Sequence, residues 1–141
     1  MSVGQKTTES EKQAKINSIH IDFYGDTELP RLNKETLEEF GFNDEPVLLK
    51  KNIVEKNIKS HPEVEPSEYK DIIGNALYKP DRVLHGGGDK SYYNFISRTG
   101  ENKNAVSLLQ VKNTNSGSLE IVNIYRIDDK GVKKKEHKAK K

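Results

Sequence analysis

Ser118-Leu119-Glu120-Ile121-Val122-Asn123-Ile124-Tyr125-Arg126-Ile127 is the stretch on which the fold turns. Its β-branched and aromatic residues recur with a period close to two, the signature of a strand. Working back from it, Asn104–Lys112, Lys90–Arg98 and Arg82–His85 keep the same period. Between them lie Gly86-Gly87-Gly88-Asp89, Thr99-Gly100-Glu101-Asn102-Lys103 and Asn113-Thr114-Asn115-Ser116-Gly117. Short turn-rich loops between such runs predict a roughly four-stranded antiparallel meander. Strict alternation along the last run puts Leu119, Ile121, Asn123, Tyr125 and Ile127 on one face. Glu120, Val122, Ile124 and Arg126 then share the other. Both faces are partly apolar, so the pattern leaves open which one meets the rest of the core.

Upstream of Asp81 the period is helical. Tyr69, Ile72, Ile73, Ala76 and Leu77 fall at i, i+3, i+4, i+7 and i+8, one apolar stripe. Pro66 is placed to start that helix and Pro80 to close it. Asn52 to His61 reads as a second helix, with Ile53, Val54, Asn57 and Ile58 near one face. Pro62 ends it, because the residue before proline is pushed out of the α region. Val47–Leu49 reads as a short buried strand. Asn33 caps a third helix through Phe40, with Glu35 in its first turn and Gly41 as its stop. Ile16–Tyr24 reads as a short strand or extended arm, Gly25–Pro30 as a turn. Helices first and strands second make the class α+β, with N-terminal helices packed on one face of the sheet.

Charge suggests a division. Residues 1–46 hold five Lys/Arg against ten Asp/Glu, and residues 130–141 hold seven Lys against one Glu. The expected parts are a disordered arm at 1–15, an acidic extension at 16–46, an α+β body at 47–127 and a Lys-rich flexible tail at 128–141. The tail reads either as solubilising or as an attractor for a polyanion. With 32% hydrophobic residues, the core is expected to use only part of the 141-residue chain. No stretch approaches a membrane span, the first fifteen residues lack the apolar run of a signal peptide, and there is no cysteine. A cytoplasmic setting is the expectation.

His20, His61, His85 and His137 are scattered without ligand spacing, so no metal and no cofactor is expected. Gly86-Gly87-Gly88 does not open a helix, which argues for a hairpin loop over a dinucleotide site. Metal-free cleavage of RNA needs a base for the ribose 2′-hydroxyl, an acid for the leaving 5′-oxygen and cations for the phosphate. His61, beside Lys59 at a helix end, reads either as that acid or base, or as a C-cap residue. Asn123 and Tyr125 are a buried satisfied pair or the floor of a site. Lys112 and Arg126 are phosphate ligands or ordinary sheet-surface charge. Tyr92, Tyr93 and Phe95 could stack bases, although aromatics in a central strand are more often core.

The run His61-Pro62-Glu63-Val64, then Tyr69, then Lys79-Pro80-Asp81-Arg82-Val83, and finally Asn123-Ile124-Tyr125-Arg126 resembles the phage-associated branch of the barnase–EndoU–colicin–RelE nucleases. The resemblance covers about residues 47–127. It implies a barnase/RelE-like fold and metal-independent transphosphorylation of RNA to a 2′,3′-cyclic phosphate, by a toxin domain acting in the bacterial cytoplasm. By resemblance His61 is the acid or base with Lys59 beside it. Lys112 and Arg126 bind phosphate, while Asn123 and Tyr125 position substrate or transfer a proton. The family commonly carries Ser or Thr where Asn123 stands, and an amide positions better than it protonates. The implied partners are RNA, tRNA or mRNA among them, and a cognate immunity or antitoxin protein. Two other readings stand beside it: an inactive phage-head or RNA/protein-binding module, and an ADP-ribosyltransferase-type toxin.

Overall fold

The computed structural model describes residues 7–86, 91–98, 106–114, 117–127, 130 and 132–134; the side chains at 106, 107, 125 and 127 lie outside that description. The elements in chain order are α1 (Glu9–Asn17), β1 (Thr27–Leu29), α2 (Lys34–Phe40), β2 (Val47–Leu49), α3 (Lys51–Ser60), a single 3-10 turn (Pro66–Glu68), α4 (Tyr69–Tyr78), β3 (Arg82–His85), β4 (Tyr92–Ser97), β5 (Val106–Asn113) and β6 (Leu119–Ile127). The class is α+β. The last four strands form the expected antiparallel meander, and β1 and β2 extend it to six strands in the order β1-β2-β6-β5-β4-β3. β2 runs parallel to β6, so the sheet is mixed at that single junction.

Local chemistry explains most boundaries. Gly41 ends α2 in the left-handed region at φ 69°, which glycine adopts without a Cβ clash. Pro66 starts a 3-10 turn that leads directly into α4. Two N-terminal expectations are corrected. Glu9–Asn17 is a helix where composition suggested a disordered arm, and the following residues to Asp26 form no strand. A reciprocal cap accounts for α1: the Thr8 side chain accepts from the Glu11 N–H, and the Glu11 carboxylate accepts from the Thr8 N–H. Thr27–Leu29, expected within a turn, pairs with β2 as a strand. Of the predicted loops at 86–89, 99–103 and 113–117, residues 87–89, 99–103 and 115–116 lie outside the described residues, as do Met1–Lys6.

One buried cluster holds the molecule together. Ile16, Ile19, Leu29, Leu32 and Phe42 from the N-terminal part pack with Val47, Leu49, Tyr69, Ile73 and Leu77, and with Phe95, Leu109, Val111, Leu119, Ile121 and Ile124 of the sheet. Each such aliphatic side chain contributes about 1.5–3 kcal/mol on leaving water. α1 lies on α4, where the position of a Cβ on Gly74 would fall 2.8 Å from Ile16 Cγ2. A smaller cluster of Ile96, Leu108 and Val132, with Leu84 against it, occupies the opposite face of the sheet. Residues 132–134 are helical there, so this part of the Lys-rich tail docks instead of trailing free. Residues 128–129, 131 and 135–141 lie outside the described residues.

The last strand does not alternate strictly. Gln110 stands opposite Asn123 but Val111 stands opposite Ile121, which leaves Val122 as an extra residue in a bulge. Leu119, Ile121 and Ile124 therefore all point into the main core. Asn123 is turned to the other face, in one row with Gln110 and Asn94. The bulge settles which face meets the helices, and it separates residues that simple alternation grouped together.

Candidate functional site

On β6, β2 pairs with Leu119 and Glu120 alone, so beyond them this edge of β6 has no strand neighbour among the described residues. A bare edge exposes backbone groups that must find other partners. α3 supplies them. Lys56 Nζ donates to Val122 O at 3.1 Å and to Asn123 Oδ1 at 3.2 Å. Asn57 Oδ1 accepts the Ile124 N–H at 2.8 Å, while its Nδ2 donates to Tyr69 Oη at 3.0 Å. Asn57 is fully buried, so its amide is spent on holding helix, strand and α4 together. At the N-cap of α3, Lys50 Nζ lies 3.2 Å from Glu120 Oε1.

These contacts advance in step, from Lys50 at Glu120 to Lys56 at Asn123 to Asn57 at Ile124. α3 thus follows the edge of β6 in the strand's own direction. Four further residues of helix rise about 6 Å, close to the advance of two strand residues. His61, which follows Asn57 by four, is carried toward the level of Arg126. Its backbone N–H donates to Asn57 O at 2.8 Å, so it does close the helix as a C-cap. Its half-buried imidazole has Nδ1 3.5 Å from Glu63 Oε2. Arg126 lies 3.2 Å from Glu68 Oε1. Lys59 is exposed in the last turn of α3.

The sequence-derived set divides around this seam. Lys59 and His61 stand at the end of α3, and Asn123 and Arg126 on the second half of β6, where they face opposite sides of the sheet. Asn123 Nδ2 donates to Gln110 Oε1, so Lys56, Asn123 and Gln110 form one chain of polar contacts. Lys112 stands opposite Glu120 and Arg126 opposite Ser107, five residues of β5 away, or about 17 Å along the strand. It shares the face of Asn123, whereas Arg126 turns to the helix face, so one phosphate cannot lie against both. Lys112 Nζ sits 5.6 Å above the Tyr92 ring. The backbone of Tyr125 places it on the face of Asn123; its side chain is outside the described residues. Tyr93 and Phe95 are core residues, and burial raises the Tyr93 hydroxyl pKa.

Lys56 and Gln110 were not singled out from sequence. Lys56 could have been found, since it precedes Lys59 by three residues and so shares a helix face near His61. Gln110 needed the strand register. Among the described residues no group of three His, Asp or Glu side chains could hold a metal ion, and no helix is long and apolar enough to cross a membrane.

A concavity of about 260 Å³ lies elsewhere, among α1, α2 and the entry to β3. Three strands, β6, β5 and β4, precede β3 from the seam outward, so the two regions are about 14 Å apart or more.

No curated protein matches the chain, and no solved structure matches it. One family model does, over residues 11–139, taking in most of α1, the whole sheet and the docked segment at 132–134. The chain belongs to the family of the large polyvalent protein-associated domain 13.

Proposed function

We propose that this domain is a metal-independent endoribonuclease of the barnase–EndoU–colicin–RelE kind, working in a phage or polymorphic-toxin setting. The observation that carries the reading is the seam itself: α3 tracks the edge of β6 through Lys56 and Asn57, and it ends in His61 on the way to Arg126. In this reading the imidazole of His61 moves the proton, with Glu63 orienting the ring. Lys56 and Lys59 offer ammonium groups to the scissile phosphate, and Asn123 fixes the ribose. Arg126 contributes charge once substrate competes for Glu68. Lys112, over Tyr92, binds the RNA backbone further along the sheet, where Tyr92 presents a ring to a base. The ribose 2′-oxygen bonds to phosphorus, the 5′-oxygen leaves with a proton, and a 2′,3′-cyclic phosphate remains.

The purified chain is expected to cut single-stranded RNA in EDTA. His61→Ala should lower the rate by about 10²–10⁴, the usual worth of general acid–base catalysis. Undiminished cleavage by that variant would remove His61 from the chemistry. RNA binding without cleavage in the wild type would favour the second reading, an RNA-binding module of the same fold. That reading draws on the Lys56, Asn123, Gln110 and Lys112 row, which needs no proton transfer.

A further inference from the structure

The concavity beside α2 is lined by Lys12 of α1, by Asn33, Glu35, Thr36, Glu39 and Phe40 around α2, and by Pro80–Val83 at the start of β3. Two buried oxygen atoms here have no hydrogen-bond partner among the described residues: Asn33 Oδ1 and Glu35 Oε1. Asn33 is only 1% exposed, yet its carboxamide does not perform the usual N-cap bond. Its Nδ2 donates to Tyr78 O at 2.7 Å, which fixes the amide and leaves the oxygen as the unused end. Glu35 Oε2 accepts the Thr7 N–H at 2.7 Å, so that carboxylate too is held with one oxygen spare. Burial of unpaired acceptors is costly, and such groups ordinarily have partners. Glu39, one turn after Glu35, and Asp81 add two more carboxylates to the lining. The nearby cations are already engaged: Lys12 lies 3.5 Å from Glu9, Lys15 donates to Arg31 O and Leu32 O, and Arg82 in the lining has an interaction of its own.

We infer that this cavity is a binding site for a guanidinium group. Both orphaned atoms only accept, so the group that completes them must donate. A guanidinium presents five N–H donors in a plane and no acceptor, and it matches paired carboxylate geometry. Phe40, Pro80 and Val83 supply an apolar wall, which suits a weakly hydrated planar cation. The volume fits one such side chain or a small guanidino compound. The site is independent of the proposed nuclease centre, on another part of the sheet.

L-argininamide titrated into the full chain and followed by amide chemical shifts tests this. Saturable shifts are expected at Glu35, Thr36 and the Asn33 side-chain amide. L-citrullinamide, which has the same shape without the charge, should bind about tenfold more weakly or worse. Glu35→Gln should weaken argininamide by a similar factor, Glu39→Gln should weaken it less, and Glu38→Gln, outside the cavity, should leave it unchanged. A capped Gly-Arg-Gly peptide separates the sources: binding equal to that of argininamide points to a partner's arginine, and binding of argininamide alone points to a free metabolite-sized ligand. No saturable shift at these amides, or equal binding of citrullinamide, would overturn the assignment. Should Glu35→Gln fail to fold, Glu39→Gln and the citrulline comparison still decide it.

Discussion

Asn57 ties α3 to both β6 and α4. It bonds the Ile124 N–H on one side and the Tyr69 hydroxyl on the other, at no exposure to water. Asn57→Ala leaves a strand donor and a phenol unpaired, and is expected to cost about 2–3 kcal/mol in a urea melt. Lys59→Ala, at an exposed position two residues on, should stay within about 0.5 kcal/mol. Tyr78 gives a pH signature. Burial raises its pKa well above the ordinary value, and its hydroxyl donates to Pro30 O. The neutral phenol is the form that folding favours, so its contribution is fully present below about pH 10, the unfolded value, and is lost as pH rises beyond it. Stability of the wild type should therefore fall more steeply above pH 10 than that of Tyr78→Phe; parallel curves would argue against it. On the same scale, Asn57 was legible in sequence as part of the inner face of α3, because it sits among Ile53, Val54 and Ile58. Its two partners were not, since they lie twelve and sixty-seven residues away.

At the level of elements, short-range signals were read well where one residue type dictates the backbone. Gly41 and Pro66 are such positions, and the meander β3 to β6 followed from its period. α1 was missed because its only apolar anchors are Ile16 and the following Ile19, too few to make a stripe. The Thr8-to-Glu11 capping box was the signal available. The bulge at Val122 is the costlier omission, since one added residue reverses the side of every later side chain. It carries Asn123 to the face of Lys112 and turns Arg126 toward Glu68. The α1–α4 contact is open to test. Gly74→Ala should gain about 1 kcal/mol of helix propensity. The 2.8 Å approach to Ile16 should cost more, giving a net loss of about 1–2 kcal/mol. Shortening the opposing side chain should relieve it: in thermal melts Gly74→Ala is expected to be less harmful in an Ile16→Ala background than in the wild type. Equal costs in both backgrounds would mean that the two side chains do not meet.

For the whole molecule, charge was a poor guide to division and hydrophobic pattern a better one. The acidic stretch to residue 46 contributes Ile16, Ile19, Leu29, Leu32 and Phe42 to the same core as the strands. The basic tail places Val132 over Ile96 and Leu108 on the sheet's far face. Removal of residues 130–141 is expected to expose that cluster, lowering stability by about 1–3 kcal/mol and adding binding of a hydrophobic dye. The proposed site is a matter of this scale too, because the His61 end of α3 reaches the second half of β6 only once the helix is laid along a strand edge that lacks a strand neighbour among the described residues. The most direct test of that account is the chemistry of the ends left on RNA after incubation with the purified chain in EDTA. The account predicts 2′,3′-cyclic phosphate on one fragment and a 5′-hydroxyl on the other, both lost with His61→Ala. Intact RNA, or fragments ending in a 3′-hydroxyl, would contradict it.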